Sequence, residues 1–389
     1  MHDVAIVGAG PVGLLLGILL RRRGLDVVIL EQRRRRSDHS RAIGIHPPAL
    51  AVLGEAGAAE RLVASGVRIR DGVARRRGRD IAALDFGSVP GPHPYVLAVP
   101  QVTTERILEE QLLTLGGTVR YGRTVQRIDD GAGRVTLEAT GCNGTAATTG
   151  GSTGAGREKV HARLAVAADG ARSTIRDLLK VPLSSRRYPD TYLMGDFADT
   201  TSDGATAVLY LEPDGIVESF PLPDGLRRWV VRTPALDPDP APGRLADLIY
   251  GRTGRSVDVA TNSMVSSFSV RSQMVRRMVR GRVALIGDAA HEISPIGGQG
   301  MNLGWLDAAA LAPIIAAALQ GQDTGEQLRA FERSRRAAAA TAAWQAHLNM
   351  ALGRPLPPAV LDARNNLLLL PALAFPGAAG LVARRFTMH

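Results

Sequence analysis

The first 33 residues constrain the fold more than any other stretch. VAIVGAGPVGLLLGILLRRRGLDVVILEQR, residues 4 to 33, begins with an apolar run ending at Val7 and turns through Gly8, Gly10 and Gly13 in the spacing G-x-G-x-x-G. An apolar helix follows, Gly24 stops it, and Val27 to Leu30 form the next strand. Strand, helix and strand in this order make a βαβ unit, which requires a parallel sheet. The glycines have separate tasks: a tight turn, close approach of a pyrophosphate to backbone N–H groups, and close packing of helix on strand. Glu31, 18 residues past Gly13, ends the second strand where a carboxylate can accept from ribose hydroxyls. The pattern predicts a dinucleotide site in a Rossmann-like α/β domain.

The chain has 389 residues, length for two packed domains, and 45% of them are apolar. Its net charge of +10 points toward an anionic partner, yet of 47 basic residues only Lys159 and Lys180 are lysines, and the arginines are scattered among few aromatics. That distribution resembles codon bias more than a phosphate-binding face, so no nucleic-acid partner is expected. The single cysteine, Cys142, leaves no internal disulfide and no cysteine metal cluster, so no metal site is expected. A strand pattern begins by Val4, leaving no room ahead of it for a charged signal segment, and a cytoplasmic protein is expected. The apolar stretch Leu367 to Phe386 holds two prolines and is just short of a full span, which argues against a transmembrane helix. It either packs against the body of the protein or makes weak peripheral contact with a membrane. Oligomeric state is not legible.

Two later segments repeat the strand-to-loop design. LAVAADGARSTIRDLL, residues 164 to 179, runs a small-residue strand into Asp169-Gly170 and places Ser173 and Arg176 on a starting helix, matching D-G-x-x-S-x-x-R. RVALIGDAAHEISPIGGQGMN, from Arg282, runs a strand into Gly287 and poises Asp288 to hydrogen-bond a ribitol or ribose hydroxyl, followed by Pro295 and glycines at 297, 298, 300 and 304.

Together the three motifs, in this order, resemble the group A flavin-dependent monooxygenases, the para-hydroxybenzoate hydroxylase family, over about residues 3 to 345. The resemblance implies that Gly8, Gly10, Gly13 and Glu31 hold FAD, that Asp169, Gly170, Ser173 and Arg176 form the motif associated with both FAD and NAD(P)H, and that Gly287 and Asp288 reach the ribityl chain. It further implies that the backbone from Pro295 to Asn302, with Gly298, Gln299, Gly300 and Met301, borders the isoalloxazine. Successive N–H groups opening a helix there favour the electron-rich edge of reduced flavin. By the same resemblance Arg41 and Gln101 reach the cofactor and Val125 passes backbone to the adenine; a surface salt bridge for Arg41 and a helix-capping role for Gln101 are the alternatives.

The implied fold is a Rossmann-like FAD-binding domain of residues 1–65, 101–180 and 273–345, interleaved with an antiparallel substrate sheet of residues 66–100 and 185–272, and closed by a C-terminal helical segment, 346–389. The low-complexity stretch 141–157 reads as a hairpin loop. Tyr192, Tyr210, Phe220 and Trp229 fall on sheet strands, where alternation aims some at the flavin and core packing is the competing fate. His46 and His291 lie beside cofactor segments; His291 is read as structural support rather than as a base, and Glu292 as a solvent-facing or amine-binding carboxylate. The resemblance implies that non-covalent FAD, reduced by NADPH or NADH, reacts with O2 to a C4a-hydroperoxide that hydroxylates a small phenolic, quinone or polyketide-like substrate. An FAD-dependent epoxidase or reductase of a lipophilic isoprenoid is the alternative. A flavin-free dehydrogenase or binding module would leave Gly287-Asp288 without a purpose, and a halogenase would need a W-x-W-x-x-P signature that is missing.

Overall fold

The computed structural model describes residues 1–36, 42–131, 133–141, 156–369 and 376–388. The expectations for Arg41, Cys142 and the loop of 142–155 lie outside the described residues.

The N-terminal pattern folds as its periodicity predicts. Strands β1 (His2–Val7) and β2 (Val27–Leu30) pair in parallel, Val4 against Val27, and α1 (Pro11–Arg21) crosses between them. Val4 to Ile6 and all of β2 are buried because helices cover a parallel sheet, so both faces select apolar residues. α1 buries every residue from Gly13 to Leu20. A Cβ at Gly17 would stand 3.0 Å from Ile29 and 3.2 Å from Leu112, so this glycine sets how closely α1 approaches the sheet. Each fully buried leucine of this interface contributes about 1.5–3 kcal/mol.

The first sheet grows outward from β1. Its order is β17 (Val279–Arg280), β18 (Val283–Leu285), β11 (Gly156–Ala167), β1, β2 and β8 (Thr118–Arg120), with β10 (Arg134–Gly141) and β9 (Arg123–Gly131) branching antiparallel from β11. All three glycine-bearing loops therefore leave the same edge: β1 ends at Val7, β11 at Ala167 and β18 at Leu285, and these residues stand in register across the sheet. Ligand crevices of open α/β sheets form at that carboxyl edge.

The second sheet has the order β19 (His291–Glu292), β16 (Met264–Val275), β12 (Leu183–Ala198), β15 (Leu226–Thr233), β14 (Val217–Pro221), β13 (Ala207–Tyr210), β5 (Asp71–Arg76) and β6 (Arg79–Asp85). One face packs against α6 (Pro242–Thr253), and the other turns toward the first sheet's loops. β3 (Gly44–Ile45), β7 (Val96–Ala98) and β4 (Val67–Ile69) form a small third sheet. Helices α2 (Pro47–Glu55), α3 (Ala59–Ala64), α4 (Gln101–Thr114), α7 (Gln299–Leu319) and α8 (Gly325–Leu352) cover the first sheet and the junction, and α5 (Thr174–Leu178) follows β11. α9 (Pro358–Arg364) and α10 (Pro376–Phe386) close the chain. The C-terminal stretch packs at least in part on the protein: Ala383 is buried and Phe386 stacks on Phe86 at 5.4 Å.

Candidate functional site

A single cavity of about 930 Å³ runs from the carboxyl edge of the first sheet to the inner face of the second. At one end Gly8 and Gly10 line it. Gly8 has φ +105° and a Cβ there would collide with the backbone of Ala168, while a Cβ on Gly13 would collide with the carbonyl of Gly8. Those two glycines serve packing, and Gly13 does not reach the cavity. Gly10 differs, because a Cβ on it meets nothing within 4 Å. The space it leaves lies beside the N-terminus of α1, which has no side-chain cap and no acid in its first turn. Free N–H groups there make an anion site.

Glu31 is buried beside this turn. Its Oε2 accepts from Ala9 N at 2.8 Å, and its Oε1 accepts from Arg33 N at 2.8 Å and Arg33 Nε at 3.1 Å. Arg33 also donates to Glu105 at 3.4 Å, and Gln101 Nε2 donates to the other oxygen of Glu105 at 2.8 Å. Burial raises the Glu105 carboxyl above its ordinary range, against the donors Gln101 and Arg33. Glu31, Arg33, Gln101, Glu105 and Val125 all border the cavity. Arg33 and Glu105 carry no motif signal: one sits in an arginine run, the other inside a helix.

The middle motif builds the next wall. Asp169 and Gly170 line the cavity, and the Asp169 carboxylate accepts from Ser173 Oγ at 2.6 Å and Ile175 N at 3.1 Å, fixing the start of α5. Burial raises its carboxyl despite those bonds. Ser173 in turn accepts from Arg176 N at 3.0 Å, and the Arg176 side chain donates to the carbonyls of Ala171 and Ala289. Arg176 thus ties the D-G loop to the G-D loop from outside the cavity.

In the late motif, Asp288 opens onto the cavity with protein on its other sides, and burial pushes its carboxyl up to about 6. Gly287, with φ +58°, does not line the cavity; its N–H donates to Asp307 Oδ2 at 3.0 Å. That carboxylate also holds His291 Nε2 at 2.6 Å and Arg335 Nε at 2.7 Å. Burial disfavours the charged imidazole, but Asp307 overrides it and the His291 pKa rises; burial likewise disfavours the Asp307 carboxylate, but His291 and Arg335 hold its pKa low. His291 is structural, as the sequence predicts, through an aspartate and an arginine that no motif announces.

Pro295, Gly298, Gly300 and Met301 line the cavity, and Gly298, with φ +67°, opens α7 without a side-chain cap. The side chains of Gln299 and Asn302, whose backbone is expected at the ring, turn away. Gln299 Nε2 reaches the carbonyl of Arg385 at 3.5 Å, and Asn302 donates to Gly44 and Gly298 carbonyls while accepting from His46 N at 2.8 Å. A side chain pointing backward along a helix's first turn meets the neighbouring loop rather than the space ahead of the helix. Glu292 borders the cavity and pairs with Arg271 at 2.5 Å rather than standing in solvent.

The aromatics divide by strand parity. Phe220 lines the cavity, but Trp229 and Tyr210 stack on each other at 6.0 Å on the opposite face, in the α6 core. Tyr192 stacks on Phe268 at 5.4 Å, fully buried and behind the lining. Trp229 and Tyr210 are core because successive side chains alternate across a sheet, whereas Tyr192 shares the inward parity of Met194 and is covered by the residues that line the cavity. The same alternation brings in residues passed over in the sequence: Glu218, two before Phe220, and Arg228, next to Trp229. Arg228 is held by Asp196 through bonds of 2.6 and 2.7 Å. Burial pushes the Glu218 carboxyl up to about 7.

Residues 1–346 match the family described as FAD binding domain. The chain is 34% identical over 342 residues to 6-methylpretetramide 4-monooxygenase of Streptomyces rimosus, covering 86% of this chain and 59% of that protein. It is 31% identical over 337 residues to rifampicin monooxygenase of Streptomyces venezuelae, covering 82% and 65%. The chain thus spans about three fifths of these relatives. Among solved structures, p-nitrophenol 4-monooxygenase of Pseudomonas putida superposes with a TM-score of 0.88 at 26% identity, covering 99% of this chain and 97% of that one. Anhydrotetracycline hydroxylase of Streptomyces rimosus gives a TM-score of 0.80 at 28% identity, covering 100% and 76%. With its three loops converging on one cavity, the chain belongs to the FAD-binding-domain family of these flavin-dependent monooxygenases.

Proposed function

We propose that the protein binds FAD non-covalently and, with NADPH or NADH and O2, hydroxylates a small phenolic, quinone or polyketide-like aromatic. The carrying observation is that two helix N-termini without side-chain caps, those of α1 and α7, open onto one cavity whose far half is apolar. The residues present fit the cofactor. Gly10 and the α1 N-terminus suit a pyrophosphate, Asp288 a ribityl hydroxyl, and the N–H groups of Gly300 and Met301 an electron-rich ring edge. Glu31, Arg33, Gln101 and the backbone at Val125 would hold the adenosine half, with Asp169-Gly170 between the two ends.

When bound, flavin supplies the redox chemistry, taking up electrons from reduced nicotinamide and activating O2 for transfer to a ring carbon. The chain contributes orientation and dryness. Phe220, Met194, Leu209 and Val230 wall the far half from one side, and Phe386 of α10 closes on it beside Phe86, which keeps bulk water from the reacting atoms. In this reading residues 1–65, 101–180 and 273–345 hold the cofactor, and 66–100 with 185–272 cover it. The relatives described above are named as monooxygenases and a hydroxylase, which favours oxygen transfer over isoprenoid reduction.

The test is to supply the flavin-loaded protein with NADH or NADPH, a panel of phenols and polycyclic quinones, and isotopically labelled O2. One labelled oxygen in a product, with nicotinamide oxidation stimulated by the same compound, is expected. Nicotinamide oxidation coupled to reduction of the organic compound, with no label incorporated, would instead make the protein a reductase.

A further inference from the structure

Glu218 is a carboxylate in an apolar wall. It is 7% exposed and lines the cavity, and its strand neighbours are Leu209 on β13 and Val230 on β15. Ile216, Phe220, Met194 and Leu211 surround the same part of the cavity. No hydrogen bond or ion pair holds its oxygens among the described residues, and burial alone acts on its acidity. The cation one row along the sheet, Arg228, is committed to Asp196 by two short bonds, and Glu292, the other carboxylate toward this end, is committed to Arg271. Tyr192, the titratable group behind the wall, has its hydroxyl buried without a hydrogen-bond partner among the described residues, and its ionisation is suppressed first by burial and then by Glu218.

A carboxylate without a partner in such a wall has a cost that a leucine in its place would avoid. Its oxygens are acceptors aimed at the space a ligand enters. Building on the hydroxylase reading above, we propose that Glu218 is the specificity-determining residue of the substrate half: it accepts a hydrogen bond from a hydroxyl on the substrate's ring and rejects rings bearing a carboxylate. The natural substrate is therefore an uncharged, hydroxylated, lipophilic aromatic. Acceptance by Glu218 fixes which ring edge faces the cofactor end, so the residue orients as well as selects.

The test measures equilibrium binding, by ligand fluorescence at about pH 8.5, where Glu218, whose carboxyl burial raises to about 7, is mostly charged, of naphthalene and anthracene bearing a hydroxyl, a methoxy or a carboxylate group to the flavin-loaded protein. Flavin content and thermal stability are followed in parallel for Glu218→Gln and Glu218→Leu. In the wild type the hydroxyl form of at least one ring is expected to bind about tenfold or more tighter than its methyl ether, the difference one hydrogen bond to a charged acceptor makes. The carboxylate form should bind weakest. Glu218→Gln, whose amide oxygen still accepts, should keep most of the hydroxyl preference. Glu218→Leu should erase it, relieve the rejection of carboxylates, and leave stability equal or higher. Equal affinity for hydroxyl and methoxy forms, or no binding of either ring, overturns the proposal. So does a Glu218→Leu protein that loses stability, which would make the carboxylate a structural element. Binding is read without turnover, so a Glu218-dependent preference in a protein that transfers no oxygen would sink the hydroxylase reading and leave the recognition standing.

Discussion

Arg33 closes on Glu31 from two residues away, with its backbone N–H at 2.8 Å and its Nε at 3.1 Å from the same carboxylate oxygen, while Ala9 N occupies the other oxygen at 2.8 Å. The acid at the end of β2 is therefore a brace of the glycine turn before it is a ribose ligand. Glu31→Ala leaves the Ala9 N–H and the Arg33 guanidinium without their acceptor, and loss of about 1–3 kcal/mol of stability is expected together with weaker flavin retention. Chemical denaturation and flavin content check both. Wild-type stability with flavin lost would make Glu31 a ligand alone.

The fingerprint glycines are separable by experiment. Gly10→Val adds a side chain where a Cβ meets no atom within 4 Å, so the fold should survive with near wild-type melting behaviour and the flavin should be lost. Gly13→Ala forces its Cβ onto the Gly8 carbonyl and should cost about 1–3 kcal/mol before any ligand is added. Circular dichroism melts of flavin-stripped protein distinguish the two.

Asp288 sets a pH signature on the flavin-free protein. Its side chain is exposed to the open cavity but ringed by protein, and this desolvation first of all raises its carboxyl from the ordinary 3.8 to about 6, so the folded state holds the proton more tightly than the unfolded chain. That contribution is fully present below 3.8 and is lost as pH rises through about 6. Asp288→Asn removes the ionisation, and the variant should gain melting temperature relative to wild type at pH 8 and less at pH 5. An equal difference at both values would show that the carboxyl is not perturbed.

Asp307 anchors the G-D loop to α7 and α8 through Gly287, His291 and Arg335. Asp307→Asn leaves a buried imidazole and a partly buried guanidinium without their counter-charge, and a loss of about 3 kcal/mol or more is expected. In the wild type His291 is charged when protonated where Asp288 is neutral, but its contribution has the same sign: its raised pKa makes it complete below 6.5 and lost as pH climbs through the folded value. Denaturant melts across that range in wild type and Asp307→Asn check both statements.

Local periodicity and turn chemistry carried the first sheet, because a parallel strand buried on both faces and a glycine turn leave strong marks over a few residues. The cavity ends built from Gly10, Asp169, Asp288 and Gly300 were legible for the same reason. The substrate half was not. On β14 and β15 the question is only which parity faces inward, which size does not decide, and Trp229 and Tyr210 take the core fate that competed with a place at the flavin. Phe220 sits on the inward parity, and reading two residues back from it would have found Glu218. The tasks of the Asn302 and Gln299 side chains, which tie α7 to neighbouring loops, are not legible either, because a helix's first-turn amides and its first-turn side chains point to different places.

The register of the first sheet has a further implication for biosynthesis. β1, made first, has β11 as a permanent neighbour, and β11 in turn needs β18, which follows more than a hundred residues later. A nascent chain leaving the ribosome therefore exposes the apolar flank of β1 until its middle third has emerged, and the crevice is not complete until α7 has followed. Completion of the flavin crevice is thus a late step in folding, set by the long-range pairing of β1, β11 and β18 and not by the N-terminal glycine turn alone.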